Sequence, residues 1–171
     1  MKILIPEYSL ILLIGPSSAG KSTFATKHFS RYEVVSSDQL RAWVCDDENN
    51  QKVSGDAFAL MHMIVNKRLK NRRLTVVDAT NLSARSRKTL KEYADGHGAP
   101  CVAIVLDIDT NTLFQRRKKR KDRNVPGNIV NRQIEMLQES KEEIKSEGYA
   151  CIYTLHKNDV DDIEIARVAS K

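Results

Sequence analysis

Eight residues near the start of the chain have the types and spacing needed to hold a row of phosphates. Gly15-Pro16-Ser17-Ser18-Ala19-Gly20-Lys21-Ser22 fits GxxxxGK[ST], directly after the apolar run Leu10–Ile14 and before a segment of helical character. The glycines let the backbone curl until consecutive N–H groups converge on phosphate oxygens. A helix opening near Lys21 adds the positive end of its dipole. Lys21 supplies a point charge for the β and γ phosphates and Ser22 a hydroxyl ligand for Mg²⁺. Gly15, Ser17, Ser18, Ala19, Gly20 and Thr23 complete the candidate nucleotide-binding set. This motif selects a ligand without choosing between ATPase, GTPase and kinase chemistry.

Three further clusters bear on that choice. Asp38 and Arg41, in Ser36-Ser37-Asp38-Gln39-Leu40-Arg41, stand three apart and share one helical face. A carboxylate there can take a proton from an attacking hydroxyl, and the arginine can hold an acceptor phosphate through paired hydrogen bonds. Taken alone, the pair reads as a helix-dipole acid beside a solvated arginine; beside a phosphate cradle the chemical reading prevails. Val76-Val77-Asp78 resembles an element whose carboxylate holds Mg²⁺ directly or through water, which makes Asp78 a second candidate metal residue. Thr80 and Asn81 after it read as caps for the next helix. DxxG is missing after that strand, and His156-Lys157-Asn158-Asp159 does not match the guanine-reading NKxD, which argues against a Ras-like GTPase. The run from Arg116 to Arg123 carries seven bases and one acid. Arg116, Arg120 and Arg123 fall at helical spacing on one side, suited to neutralising charge on transferred oxygens from a water-excluding lid.

These residues must be brought together by the elements between them. Five short apolar runs (10–14, 33–36, 74–77, 101–106 and 151–155) alternate with six helical segments, near 22–29, 38–44, 56–71, 83–95, 110–121 and 129–147. Unbroken apolar runs of this length suit strands buried on both faces, and the alternation predicts a doubly wound α/β domain with a parallel sheet. Ligands in such sheets bind beyond the carboxyl ends of the strands, where the cradle, Asp38 and Asp78 all fall. Ala57, Leu60, Met61, Ile64, Val65 and Leu69 mark one buried helical face, and Trp43 reads as a core anchor.

Composition narrows the class. The 171 residues suit one domain; 41% are hydrophobic, 29% are charged and the formal net charge is +6, with the excess concentrated in the basic run. That balance favours a polyanionic acceptor over a small neutral one. Aromatic content of 6% argues against recognition built mainly on stacking. No apolar run approaches the ~18 residues of a membrane span, and no signal peptide is evident. Cys45, Cys101 and Cys151 lack CxxC spacing and predict free, buried thiols in a reducing, cytoplasmic compartment. The four histidines are dispersed and form no ligand set.

Together the glycine cradle, SSDQLR, VDATN and the arginine run make the sequence resemble the 5′-kinase module of bacterial polynucleotide kinase-phosphatase, an RNA end-healing family. The likeness covers nearly the whole chain in motif order. It implies an adenylate-kinase-like P-loop phosphotransferase fold, a five-stranded parallel sheet flanked by helices with an arginine-bearing lid at about 112–130. It also implies transfer of the γ-phosphate of ATP or another NTP to the 5′-OH end of RNA or DNA, with Mg²⁺. Carried over by position, Lys21 and Ser22 serve the donor and Asp38 is the general base. Arg41 lies on the acceptor side, and Arg116 with Arg120 forms the lid; Arg123 is an acceptor-binding candidate from its spacing in the basic run alone. The same family implies phosphatase and nucleotidyltransferase modules in a parent chain, of which residues 1–171 form the N-terminal kinase domain. A small-molecule kinase shares every donor-side residue and is the alternative; a non-catalytic nucleic-acid-binding module is the third.

Overall fold

A computed structural model of the chain describes residues 2–120, 125–157, 159 and 162–169. Strand β1 (Lys2–Pro6) leads into β2 (Leu10–Ile14), then α1 (Lys21–His28), β3 (Val34–Ser36) and α2 (Ser37–Cys45). A 3₁₀ turn (Gln51–Val53) precedes α3 (Ser54–Lys70), followed by β4 (Thr75–Asp78), α4 (Ala84–Gly96) and β5 (Cys101–Leu106). The chain continues through α5 (Thr110–Lys119), α6 (Gly127–Ser146), β6 (Cys151–Leu155) and β7 (Glu164–Val168).

The five anticipated strands form one parallel sheet in the order β3-β4-β2-β5-β6. Strand β2 is central, and its five residues are buried on both faces. Leu10, Leu12 and Ile14 enter one core layer with α3, α4 and α6, while Ile11 and Leu13 enter the other with α1 and α5. This period-2 division of a wholly apolar strand is what a sheet covered on both sides requires. On α3 the buried row is Ala57, Met61, Val65 and Leu69; Ile64 is half-buried and Leu60 is exposed, so the apolar face is narrower than its sequence stripe.

Two strands were not anticipated. β1 and β7 pair in parallel as a separate two-stranded sheet, with Ile3 and Ile5 fully buried on the α1 side of the main sheet. Tyr153 Oη accepts from the Leu4 amide at 3.2 Å and donates to its carbonyl at 3.0 Å. Arg167 of β7 forms paired bonds of 2.8 and 2.9 Å to Glu33. Only Ile3 and Ile5 of β1 are buried and no residue of β7 is, and 158 positions separate the last residue of β1 from the first of β7 in sequence, so local pattern carries no sign of the pairing.

Arg87 is the largest fully buried side chain. Its guanidinium donates to both carboxylate oxygens of Glu147 and to the carbonyls of Asn81 and Leu82, which ties α4 and α6 to the loop after β4. Breaking such a buried, fully bonded charge pair typically costs about 3–5 kcal/mol.

Candidate active site

Strand register assembles the site. Asp78, the last residue of β4, lies opposite Ser36 of β3 and Leu13 of β2, so three carboxyl ends stop at one level. Asn81, held in the left-handed region at φ 49°, donates to Leu13 O at 2.7 Å and locks the β4 exit against β2. It therefore braces the loop rather than capping a helix. The Gly15 amide donates to Thr80 O at 3.0 Å.

From β2 the chain turns through the cradle into α1. A side chain at Gly15 would place its first carbon 2.9 Å from the Leu106 carbonyl oxygen, so only glycine allows the β5 end to pack there. Ser18 and Gly20 lie in the left-handed region at φ 68° and 99°. A non-glycine residue in that region stores strain of the kind that gathers at ligand sites. Lys21 is nearly buried, and its ammonium folds back to Gly15 O at 2.9 Å and Pro16 O at 2.8 Å. The helix ladder of α1 begins with the Phe24 amide donating to Gly20 O at 2.9 Å, and Ser22 and Thr23 are exposed at this end.

A cleft of about 560 Å³ opens above these strand ends. The cradle contributes Ser17, Ser18, Gly20, Lys21, Ser22 and Thr23; β4 and its exit contribute Asp78, Ala79 and Thr80; α2 contributes Ser37 and Asp38; and the basic segment contributes Arg116, Lys119 and Arg120. The structure thus brings together both candidate metal residues, the candidate base and two of the lid arginines. Ala19 is buried behind the cleft, where its carbonyl accepts from Arg116 at 2.8 Å. Arg120 ends α5 in extended conformation at φ −76° and ψ 124°. Arg123 lies outside the described residues, as does part of the anticipated lid.

Arg41 takes a different place from a direct acceptor contact. It is 3% exposed, does not line the cleft, and pairs with the Asp38 carboxylate while donating to Glu48 O at 2.7 Å. It stands behind Asp38 and orients it. Trp43 is not in the core: it is 67% exposed on the same helix. The nine residues of α2 make about two and a half turns and bury Ser37, Leu40 and the paired Arg41, which leaves the indole outside. The thiols also depart from expectation, since only Cys101 is buried, while Cys45 is intermediate and Cys151 exposed.

Two contributors escaped the sequence reading. Lys119 lines the cleft, although within a dense charge run its position resembles that of its solvated neighbours. Gln133 of α6 accepts the Ser17 amide at 2.7 Å through its side-chain oxygen. That amide therefore faces α6, and nothing local in a helical glutamine foretells a partner 116 positions away.

A family model described as AAA domain (AAA_33) matches residues 10–144, from the central strand into α6. A chain of the Pnkp1/Rnl/Hen1 RNA repair complex is 25% identical, with a TM-score of 0.69. That likeness covers 81% of this chain and 47% of the other, so this chain spans about half the length of that relative. A putative kinase from Chloroflexus aurantiacus is 15% identical at a TM-score of 0.64, covering 92% of each chain. Shikimate kinase from Acinetobacter baumannii is 15% identical at 0.56, covering 90% of this chain and 87% of its own. No curated protein matches the sequence. Fold, cradle and family define a P-loop domain with the fold of these kinases. The chain belongs to the AAA_33 family of AAA domains. No helix among the described residues is long and apolar enough to cross a membrane.

Proposed function

We propose that the protein transfers the γ-phosphoryl group of ATP or another NTP to the 5′-hydroxyl end of a polynucleotide. The observation that carries this reading is the Asp38 carboxylate, oriented by Arg41 and lining the same cleft as Lys21 and the cradle. The 25% likeness to a chain of an RNA repair complex supports the acceptor class, and so does the cationic rim of Arg116, Lys119 and Arg120.

In this reaction the 5′-oxygen forms a bond to the γ-phosphorus as its proton passes to Asp38. The bond from that phosphorus to the bridging oxygen breaks, and the nucleoside diphosphate leaves with the electron pair. Lys21 exchanges its carbonyl partners for phosphate oxygens. Arg116, Lys119 and Arg120 offset negative charge on the transferred group. The Ser22 hydroxyl and the Asp78 carboxylate are hard oxygen donors facing one cleft, as Mg²⁺ requires. These two residues would hold the ion, which would supply neutralising positive charge beside the donor phosphates. Arg41 holds the base in position and meets the acceptor only through it.

The deciding experiment offers γ-labelled ATP to the protein with 5′-OH RNA and DNA oligonucleotides, free nucleosides, gluconate and shikimate. Label should appear on oligonucleotide 5′ ends. Label on a small molecule alone would replace this reading with a small-molecule kinase. Asp38→Asn should leave ATP affinity intact and lower kcat by about 10²–10⁴; near-normal turnover would remove Asp38 as the base.

A further inference from the structure

A second concavity of about 360 Å³ lies on the other face of α2, beside the edge strand β3. Leu40 and Ile64 help form its apolar floor, and the rings of Tyr32 and Trp43 stand at its mouth, 68% and 67% exposed. Arg31 and Arg68 line it, and its lining includes no carboxylate. The Arg31 guanidinium stacks over the Tyr32 ring at 4.7 Å from the centroid. An indole left in water, beside a tyrosine ring that a guanidinium covers on one side, suits a flat aromatic guest with an attached negative charge.

Position strengthens the case. Ser36 lines this groove and its neighbour Ser37 lines the catalytic cleft. Asp38 and Trp43 ride on one helix, about 7.5 Å apart along its axis. A strand whose first oxygen reaches Asp38 has the length to reach the groove with its next few nucleotides. The lining charge opposes a cationic partner and attracts a phosphodiester backbone.

We propose that this groove docks an unpaired nucleobase of the acceptor strand, downstream of its 5′ end. Trp43 and Tyr32 are the stacking faces, and Arg31 and Arg68 supply charge for the adjoining phosphates. The proposal rests on the polynucleotide reading above and adds a second subsite to it.

Trp43 is the sole tryptophan of the chain, so its fluorescence reports the groove directly. Titration with a 5′-OH oligouridylate ten-mer should quench it saturably, and titration with ATP alone should not. Trp43→Ala should raise KM for the ten-mer by about 5- to 150-fold, the range set by base–aromatic stacking. That rise should shrink as the acceptor is shortened to a dinucleotide, and Trp43→Tyr should restore most of the affinity. Normal ten-mer phosphorylation with unchanged fluorescence and an unchanged Trp43→Ala KM overturns the groove while leaving the kinase reading in place. Failure of every oligonucleotide to accept phosphate, with turnover of a small molecule, overturns both. A concentration-dependent dimer that Trp43→Ala dissolves overturns the proposal in favour of a second copy as occupant.

Discussion

Asp38 and Arg41 show how one ion pair assigns roles that residue types leave open. Both could touch an acceptor, but burial places the guanidinium behind the carboxylate and leaves Asp38 alone at the cleft. The cysteines make the same point for reactivity. Burial pushes the Cys101 thiol up to about 12, so it remains protonated and sheltered at neutral pH. Brief iodoacetamide treatment at pH 8 should therefore modify Cys151 first and leave Cys101 untouched until denaturant is added. Peptide mapping by mass spectrometry checks this, and native labelling of Cys101 would contradict the burial of β5.

At the scale of elements, the cradle is held from outside as well as by its own glycines. Arg116 of α5 bonds Ala19 O, and Gln133 of α6 accepts from the Ser17 amide, so the helix that begins the basic run and the helix that follows it grip both flanks of Ser18. The position of those helices is thereby coupled to the shape of the phosphate loop. Gln133→Ala leaves a buried amide without its acceptor, a loss of about 1–3 kcal/mol. We expect it to be divided between a lower Tm and weaker ATP binding, read by calorimetry. Unchanged values for both would show that the bond does not shape the loop.

For the molecule as a whole, the small β1–β7 sheet is fastened to the main sheet by Tyr153 and by the Glu33–Arg167 pair. Burial alone would lift the Glu33 carboxyl, but the hydrogen bonds from Arg167 and the Ser30 amide outweigh it and hold it below its usual range. A carboxyl lowered on folding adds stability above its unfolded value, about 4.3, and that contribution is lost as the pH falls through the folded value. Arg167→Ala should therefore lower urea-unfolding stability at pH 7, with the gap to wild type closing as the pH drops below about 4. A gap independent of pH would mean that the pair contributes only packing. The main sheet, its strand ends and the phosphate cradle were legible in the sequence, because continuous apolar runs and a glycine motif are local patterns with local causes. The β1–β7 pairing, the exposure of Trp43, the inward turn of Arg41 and the reach of Gln133 to Ser17 were decided only by tertiary structure. Each depends on which distant segment arrives beside a residue, and the chain's neighbours in space are set by packing, not by its neighbours in sequence.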